Sequence, residues 1–135
     1  MNEKILEKAN NVIKNCTTAS VGVIDENGFP SVSTVSLVRP DNVTELYFTT
    51  NIGANKEKRL QKNNKASICC YTKSDNITLV GEAEVLTDQA SKDKYWLDWF
   101  KDIYGDKTAP DYCVIKFTTK RVSLWVDNEI AEFSL

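Results

Sequence analysis

Histidine is absent from the 135 residues of this chain, and proline, glycine and methionine are scarce. Without an imidazole the chain can form no Ser-His-Asp triad, no Cys-His pair and no histidine-ligated metal site. Acid–base catalysis by imidazole is excluded for the same reason. We therefore expect any catalysis by this chain to depend on a bound cofactor that supplies the reactivity.

Long apolar runs and strong charge are also missing. No stretch approaches the length that crosses a bilayer, and the first residues, MNEK, lack the basic-then-apolar pattern of an export signal. The formal net charge of −2 provides no attraction for nucleic acid or an anionic membrane. The length is that of one domain. These features predict a single cytoplasmic domain over residues 1–135, with no nucleic-acid or membrane partner.

The four cysteines show no CxxC spacing. Two of them are adjacent in an apolar run, so on a strand their side chains would point to opposite faces. Buried free thiols in a reducing compartment are one interpretation. A redox pair or a metal site is the alternative that the sequence leaves open. The residues concerned are Cys16, Cys69, Cys70 and Cys113.

Hydrophobic periodicity predicts long helices over residues 3–16 and 88–104, the second ending at a glycine, and a short basic helix over residues 53–64. The pair Asn27-Gly28 is a strong hairpin signal. Strands are predicted at residues 17–25, 31–38, 44–50, 66–72, 77–86, 112–119, 121–126 and 130–133. From these eight segments we expect six to seven antiparallel strands with helices at their connections, which predicts a mainly β (α+β) barrel because closure removes the sheet edges.

One segment combines features that suit an anion. A strand ends at Thr49-Thr50, a turn of small residues follows, and a helix then begins with Lys56 in its first turn. The first turn of a helix offers free N–H groups and a partial positive charge, which together form an anion site. A lysine there opposes the helix dipole unless an anionic ligand balances it. The alternative is a solvated face formed by the basic residues Lys56, Lys58, Arg59, Lys62 and Lys65.

The order of these motifs carries a resemblance. The pattern FTTN-x-G-x-x-K, which ends at Lys56, follows a Gly28-x-Pro30 hairpin. It resembles the pyridoxamine 5'-phosphate oxidase family of FMN-binding split β-barrels, and within it the short bacterial branch called general stress proteins. The similarity extends from the first helix to Trp125. It implies bound FMN, with flavin adenine dinucleotide or a deazaflavin as alternatives, and a homodimer whose cofactor sites straddle the interface.

The resemblance also implies roles for individual residues. The strand that contains Ser33, Thr34, Val35 and Ser36 would run beside the isoalloxazine and the ribityl chain. A second group would hold the rest of the cofactor: hydroxyl contacts from the next strand, the phosphate site at the helix start, an amide side chain against the ring, and the tryptophan of a late Arg-x-x-x-Trp motif. These residues are Thr49, Thr50, Asn55, Lys56, Asn76 and Trp125.

Several positions depart from the oxidase pattern. Ser33 and Asn55 stand where the family oxidase has arginines that clamp the phosphate. Val38 and Trp99 stand where it uses a lysine and an arginine to grip its own substrate, and no Arg-x-His occurs near Ala131. We therefore expect the fold and the FMN site to be shared with the family, and the oxidation of pyridoxamine 5'-phosphate not to be.

Three functions remain in competition at this point. The first is an FMN-dependent oxidoreductase or flavin reductase that acts on an unidentified small molecule, with no catalytic residue assigned. The second is a non-catalytic protein that binds or stores flavin or another phosphorylated ligand. The third is a barrel that binds nucleic acid or a protein, which the acidic balance of charge disfavours.

Overall fold

A computed structural model describes residues 3–135. Within these residues, four helices and seven strands follow one another, and a 3-10 turn over Asp98–Phe100 precedes the last helix. In chain order the elements are α1 (Glu3–Lys14), β1 (Thr18–Ile24), β2 (Pro30–Ser36), β3 (Glu45–Asn51), α2 (Asn55–Lys62), β4 (Lys65–Thr72), β5 (Asp75–Leu86), α3 (Gln89–Lys94), α4 (Lys101–Tyr104), β6 (Tyr112–Val126) and β7 (Glu129–Ser134).

All seven strands lie in one antiparallel sheet whose order is β2-β1-β4-β5-β6-β3, with β7 added beside β6. The sheet curls so that its two ends meet. Just past the end of β2, the N–H of Val38 donates to the carbonyl of Tyr47 in β3 at 2.8 Å. The barrel is therefore closed by local contact between β2 and β3 rather than by a full ladder, and the predicted mainly β fold is confirmed.

Strict alternation in the central strands fills the barrel. In β5 the side chains of Ile77 and Leu79 are fully buried, and their cross-strand partners Leu124 and Val122 in β6 are buried too. The helix α1 packs on β4, β5 and β6 and adds its apolar stripe to the same core. The residues of that stripe are Ile5, Ala9, Val12 and Ile13.

The sequence predicted two strands where the structure has one. Residues 112–119 and 121–126 form the continuous strand β6, which is 15 residues long. Its register with β5 shifts between Val80 and Gly81, because Val80 pairs with Arg121 whereas Gly81 pairs with Thr119. Lys120 is thus the extra residue of a β-bulge, which bends the strand without ending it.

The long helix predicted over residues 88–104 is wrong. The helix α3 ends at Lys94, Tyr95 leaves helical geometry, and its ring stacks on Tyr47 with centroids 3.9 Å apart. The guanidinium of Arg39 donates to the carbonyls of Lys94 and Trp96, the latter at 3.4 Å. Contacts with residues distant in sequence therefore override the helical periodicity at this point. The predicted stop at residue 105 is confirmed, since the φ of Gly105 is 88°.

All four cysteines are free thiols, and three are buried as predicted, whereas Cys69 is partly exposed. Burial raises the pKa of the Cys113 thiol to about 11, so the thiolate is disfavoured at neutral pH. Within residues 3–135, no helix has the length and apolar character needed to cross a membrane.

Candidate functional site

The predicted cofactor strand, β2, has one paired edge. It pairs with β1 from Ser36, opposite Thr18, to Pro30, opposite Ile24, and it ends the strand order of the sheet. The side chains of Ser33, Thr34 and Ser36 are exposed, whereas Val35 points into the core. An edge strand presents backbone N–H and C=O groups that have no partner in the sheet. The structure therefore offers polar side chains and free backbone groups along this strand.

The hydroxyl pair at the end of β3 lies next to this edge, because Tyr47, two residues earlier in the strand, bonds to the segment that follows β2. Thr49 and Thr50 are both half-buried. The hydroxyl of Tyr104 donates to Thr49 Oγ1 at 3.0 Å, and the thiol of Cys113 donates to the carbonyl of Thr50 at 3.3 Å. Both threonines are thus held by contacts from distant parts of the chain.

The turn after β3 directs the chain into α2. Gly53 has a φ of 89°, which a glycine adopts without strain. The N–H of Ala54 donates to the carbonyl of Asn51 at 3.1 Å, and the N–H of Ile52 donates to the carbonyl of Asp111 at 2.7 Å. No side chain caps the helix at Ala54. The N–H groups of the first turn therefore have no partner within the helix and can receive an anion.

A buried carboxylate stabilises this turn. Glu57, in the first turn of α2, is 6% exposed, and its Oε1 accepts the N–H of Gly53 at 2.9 Å. This bond reaches back to the residue before the N-cap Ala54, as the glutamate of a capping box reaches back to the N-cap itself, and it fixes the entry of the chain into the helix. Glu57 was not among the residues predicted from the sequence, although a glutamate three residues after a helix start is a recognisable signal.

Lys56 lies at the start of α2 and is half-buried. Within the part of the chain that the structure describes, none of the ion pairs includes it. Burial lowers the pKa of its ammonium group, because desolvation disfavours the charged form. Lys56 is therefore not fully solvated, unlike a residue of the solvated basic face that the sequence left open as an alternative. A partly desolvated cation without a carboxylate partner is a group that an anionic ligand would stabilise.

The helix α2 is clamped to the β1–β2 hairpin by Arg59. Its Nε lies 3.0 Å from Glu26 Oε2, and a second guanidinium nitrogen donates to Oε1 at 3.2 Å. A third donates to Ser31 Oγ at 3.2 Å. Arg59 holds the pKa of the Glu26 carboxyl down at about 2. The basic face predicted for this helix is thus partly engaged, and Arg59 aligns β2 with the start of α2.

A cavity of about 430 Å³ lies between the hairpin and α2, next to the helix start. Asn55 lines it together with the exposed side chain of Lys58. Arg39, the other cation near the predicted phosphate site in sequence, is bonded to backbone carbonyls beyond α3. The structure therefore places Asn55 and Lys58 beside this cavity, next to Lys56 at the helix start, and holds Arg39 away from it.

The remaining predicted residues lie elsewhere on the barrel. Asn76 pairs with Tyr71 on one side and with Trp125 on the other, and Trp125 pairs with Ile130. These four residues form one row across β4, β5, β6 and β7, which we name the outer row. Thr50, by contrast, pairs with Cys113 at the opposite end of β6. A single chain therefore holds the predicted site residues in two separate groups.

The outer row is unusually apolar for an exposed surface. Tyr71 is 75% exposed, Trp125 48% and Ile130 82%. Three large apolar side chains on one face of a sheet are more than the isolated exposed residues of an ordinary surface.

A model of the family described as pyridoxamine 5'-phosphate oxidase matches residues 5–126. The chain belongs to this family. A pyridoxine/pyridoxamine 5'-phosphate oxidase from Photorhabdus laumondii is 35% identical over 88 residues, which are 63% of this chain and 40% of that protein. The chain thus spans less than half the length of this curated relative. The resemblance proposed from the sequence is confirmed at the level of the family.

Solved structures agree with this assignment. A protein related to general stress protein 26, from Clostridium acetobutylicum, is 27% identical with a TM-score of 0.88, and the match covers 100% of this chain and 97% of that one. General stress protein 26 from Bacillus anthracis shares the fold, with a TM-score of 0.80 at 21% identity over 96% of this chain and 98% of that one. The split-barrel fold and the stress-protein branch of the pyridoxamine 5'-phosphate oxidase family are both supported, and proteins of this family generally bind flavin.

Proposed function

We propose that this chain is a flavoprotein that binds FMN at the junction of β2, β3 and α2. The observation that carries the proposal is Lys56 at the start of α2, which is half-buried and has no ion-pair partner among residues 3–135. A phosphate dianion would restore the electrostatic partner that this lysine lacks, and the free N–H groups of the first helical turn would add hydrogen bonds. Asn55 would contribute an amide to the same group.

The rest of the cofactor would lie along the edge of β2. Ser33, Thr34 and Ser36 have exposed hydroxyls there. At Val35, whose side chain is buried, the unpaired edge of the strand offers backbone N–H and C=O groups. Thr49 and Thr50 would contact the flavin from β3. When bound, FMN supplies hydride or single-electron chemistry, while the protein binds it, orients it and shapes the pocket.

A second copy of the chain would complete each site. Asn76 and Trp125 lie on the outer row, away from Thr50, so a homodimer that packs these rows against the neighbouring site would bring both groups to one flavin. A twofold-symmetric dimer would form two such sites from one self-complementary surface. The exposed apolar side chains of the outer row provide the area that such a contact would bury.

The specific oxidase activity of the family does not follow from the fold. Val38, which replaces a lysine that grips substrate, is 3% exposed and packs inward, while Trp99 stands 47% exposed where an arginine is used. With no histidine available, we propose an oxidoreductase or flavin reductase that acts on a different small molecule.

Reconstitution tests the cofactor directly. The ligand-free protein is titrated with FMN while flavin fluorescence is followed, and saturable quenching at one FMN per chain is expected. Absence of saturation at micromolar FMN would remove the main proposal. Turnover of NADH or NADPH with oxygen or a quinone then separates an oxidoreductase from a protein that only stores flavin.

The same preparation tests specificity. Incubation with pyridoxamine 5'-phosphate in air is expected to give no more pyridoxal 5'-phosphate than a sample without protein. Formation of pyridoxal 5'-phosphate well above that background would show that the missing lysine, arginine and histidine are dispensable. The chain would then be an oxidase of pyridoxamine 5'-phosphate after all.

Assembly is tested by charge insertion. Ile130→Glu alters an exposed side chain, so the fold should persist while sedimentation shifts from about twice the 15.2-kDa chain mass to the monomer, and FMN affinity falls. Leu135→Glu, at an exposed leucine off the outer row, is the matched control and should stay dimeric. A wild-type monomer that binds FMN fully would contradict the shared site.

A further inference from the structure

The hydroxyl of Thr49 is held by a side chain that sequence analysis did not single out. Tyr104, the last residue of α4, donates to Thr49 Oγ1 at 3.0 Å, across 55 residues of sequence. Both side chains are half-buried, and Thr49 is one of the two hydroxyls at the junction of β3 and α2. This contact ties the α3–α4 segment to the candidate site.

The ring of Tyr104 is fixed in place by other rings. Trp96, Phe100, Tyr104 and Tyr112 form a group that we name the aromatic cluster. Tyr104 lies 4.8 Å from Tyr112 and 6.0 Å from Phe100 between centroids, the latter edge-on, and Trp96 lies 5.3 Å from Tyr112. Such pairs restrict the orientation of each ring. The phenol oxygen is therefore held at one position relative to β3.

The chemistry of the two hydroxyls decides which way the bond runs. A hydroxyl has one hydrogen to donate and lone pairs to accept with. Phenol is the more acidic partner and hence the better donor. Burial raises the pKa of Tyr104, so the phenol keeps its proton at neutral pH. Because Thr49 Oγ1 accepts from Tyr104, the hydrogen of Thr49 is left free to donate to a ligand at the junction of β2, β3 and α2.

We propose that Tyr104 is a positioning residue, which orients the Thr49 hydroxyl so that Thr49 donates its hydrogen to the bound flavin. The inference rests on the proposed function, because it requires a flavin at the junction of β2, β3 and α2. It gives the hydroxyl of Tyr104 a role in ligand binding, whereas the rings of the aromatic cluster serve packing.

The test is a double-mutant cycle on FMN binding. Tyr104→Phe keeps the ring and removes the hydroxyl, and it should weaken FMN binding about three- to tenfold, the range that corresponds to one lost hydrogen bond. Thr49→Val should weaken binding by at least as much. The double variant should bind no more weakly than Thr49→Val alone, because Tyr104 acts only through Thr49.

Two further variants separate positioning from general damage. Tyr112→Phe removes a hydroxyl of the same aromatic cluster, which donates to the carbonyl of Lys92 at 2.8 Å and does not reach Thr49. It should leave FMN affinity within about twofold of wild type, even if the protein unfolds at lower urea. Thr49→Ser keeps the hydroxyl, so it should bind FMN nearly normally and remain sensitive to Tyr104→Phe.

A spectrum provides a second readout. The visible absorption bands of bound flavin respond to hydrogen bonds, so Tyr104→Phe and Thr49→Val should displace them in the same direction, whereas Tyr112→Phe should not. Wild-type affinity in Tyr104→Phe, or additive losses in the double variant, would overturn the positioning role while leaving the FMN proposal intact. Failure of the wild-type protein to bind FMN would overturn both.

Discussion

The two halves of the barrel are built in opposite ways. On one side β5 and β6 pair from Asn76, opposite Trp125, to Leu86, opposite Val114, and their inward side chains are fully buried. On the other side β2 and β3 approach each other at the bond from Val38 to Tyr47, and most of β2 is exposed. The first region has its backbone groups satisfied and its core filled. The second leaves polar groups available, so the fold is stabilised in one place and a ligand can bind in another.

The largest loss of stability on the paired side of the barrel is expected from a substitution that fills the space beside the bulge. A Cβ on Gly81 would lie 2.1 Å from the carbonyl oxygen of Thr118 and 3.0 Å from the ring of Phe117. Backbone must move to admit it, so Gly81→Ala should lower the free energy of unfolding by about 3 kcal/mol, measured by urea titration.

The matched control lies on the open side of the barrel. A Cβ on Gly22 in β1 would meet only Val32 Cγ2, at an ordinary 3.8 Å. Gly22→Ala should therefore change stability by less than about 0.5 kcal/mol. Equal losses of unfolding free energy in Gly81→Ala and Gly22→Ala would show that the paired region is no more sensitive to substitution than the open region.

The open side is tested by removing its charge. Lys56→Ala should weaken FMN binding about ten- to hundredfold, because a charge-assisted hydrogen bond contributes roughly 1.5–3 kcal/mol. Riboflavin, which lacks the phosphate, should bind this variant as it binds wild type. Parallel fluorescence titrations with both ligands make the measurement.

Stability and affinity should diverge in this variant. Because the pKa of Lys56 is lower in the folded than in the unfolded chain, its charged form at neutral pH makes the folded state less stable, not more. The ligand-free Lys56→Ala protein should therefore unfold at the same temperature as wild type or higher. Lys65→Ala, at an exposed position at the start of β4, is the control and should change FMN affinity less than about threefold. Equal weakening of both ligands would place the phosphate elsewhere.

The clamp between the hairpin and α2 should have a smaller effect. Arg59→Met keeps the length of the side chain and removes its bonds to Glu26 and Ser31, so β2 loses its fixed position beside α2. FMN affinity should fall about two- to fivefold, and amide hydrogens of residues 24–31 should exchange faster. Arg121→Met, which breaks the exposed pair with Glu132 on the other side of the barrel, should do neither.

The last prediction concerns how FMN affinity depends on pH, and it has the smallest effect near neutral pH. As pH rises through the lowered pKa of Lys56, the ammonium loses its proton and the attraction for phosphate is lost. As the pH is raised, the ratio of FMN to riboflavin affinity should therefore start to fall before pH 10.5, the ordinary pKa of a lysine, is reached. Lys56→Arg should keep the ratio constant to higher pH, because arginine stays protonated. An unchanged decline in Lys56→Arg would assign the titration to another group.

What the sequence by itself determined was local. Alternation of apolar residues located the strands, although it divided β6 into two, Asn27-Gly28 located the hairpin, and the motif from Thr49 to Lys56 located a strand end followed by a helix start. Each of these follows from rules that act within a few residues, namely side-chain period, turn geometry and the free N–H groups of a first helical turn.

What only the tertiary structure decided was which distant residues meet. Arg39 ends α3 across 55 residues and thereby breaks the helix that periodicity predicted, Arg59 reaches Glu26 across 33, and Tyr104 reaches Thr49 across 55. Burial of Lys56 and the separation of Thr50 from Trp125 likewise arise only when the strands pair. A hydrophobic pattern reports which side of an element faces inward, but it carries no information about the partner found there.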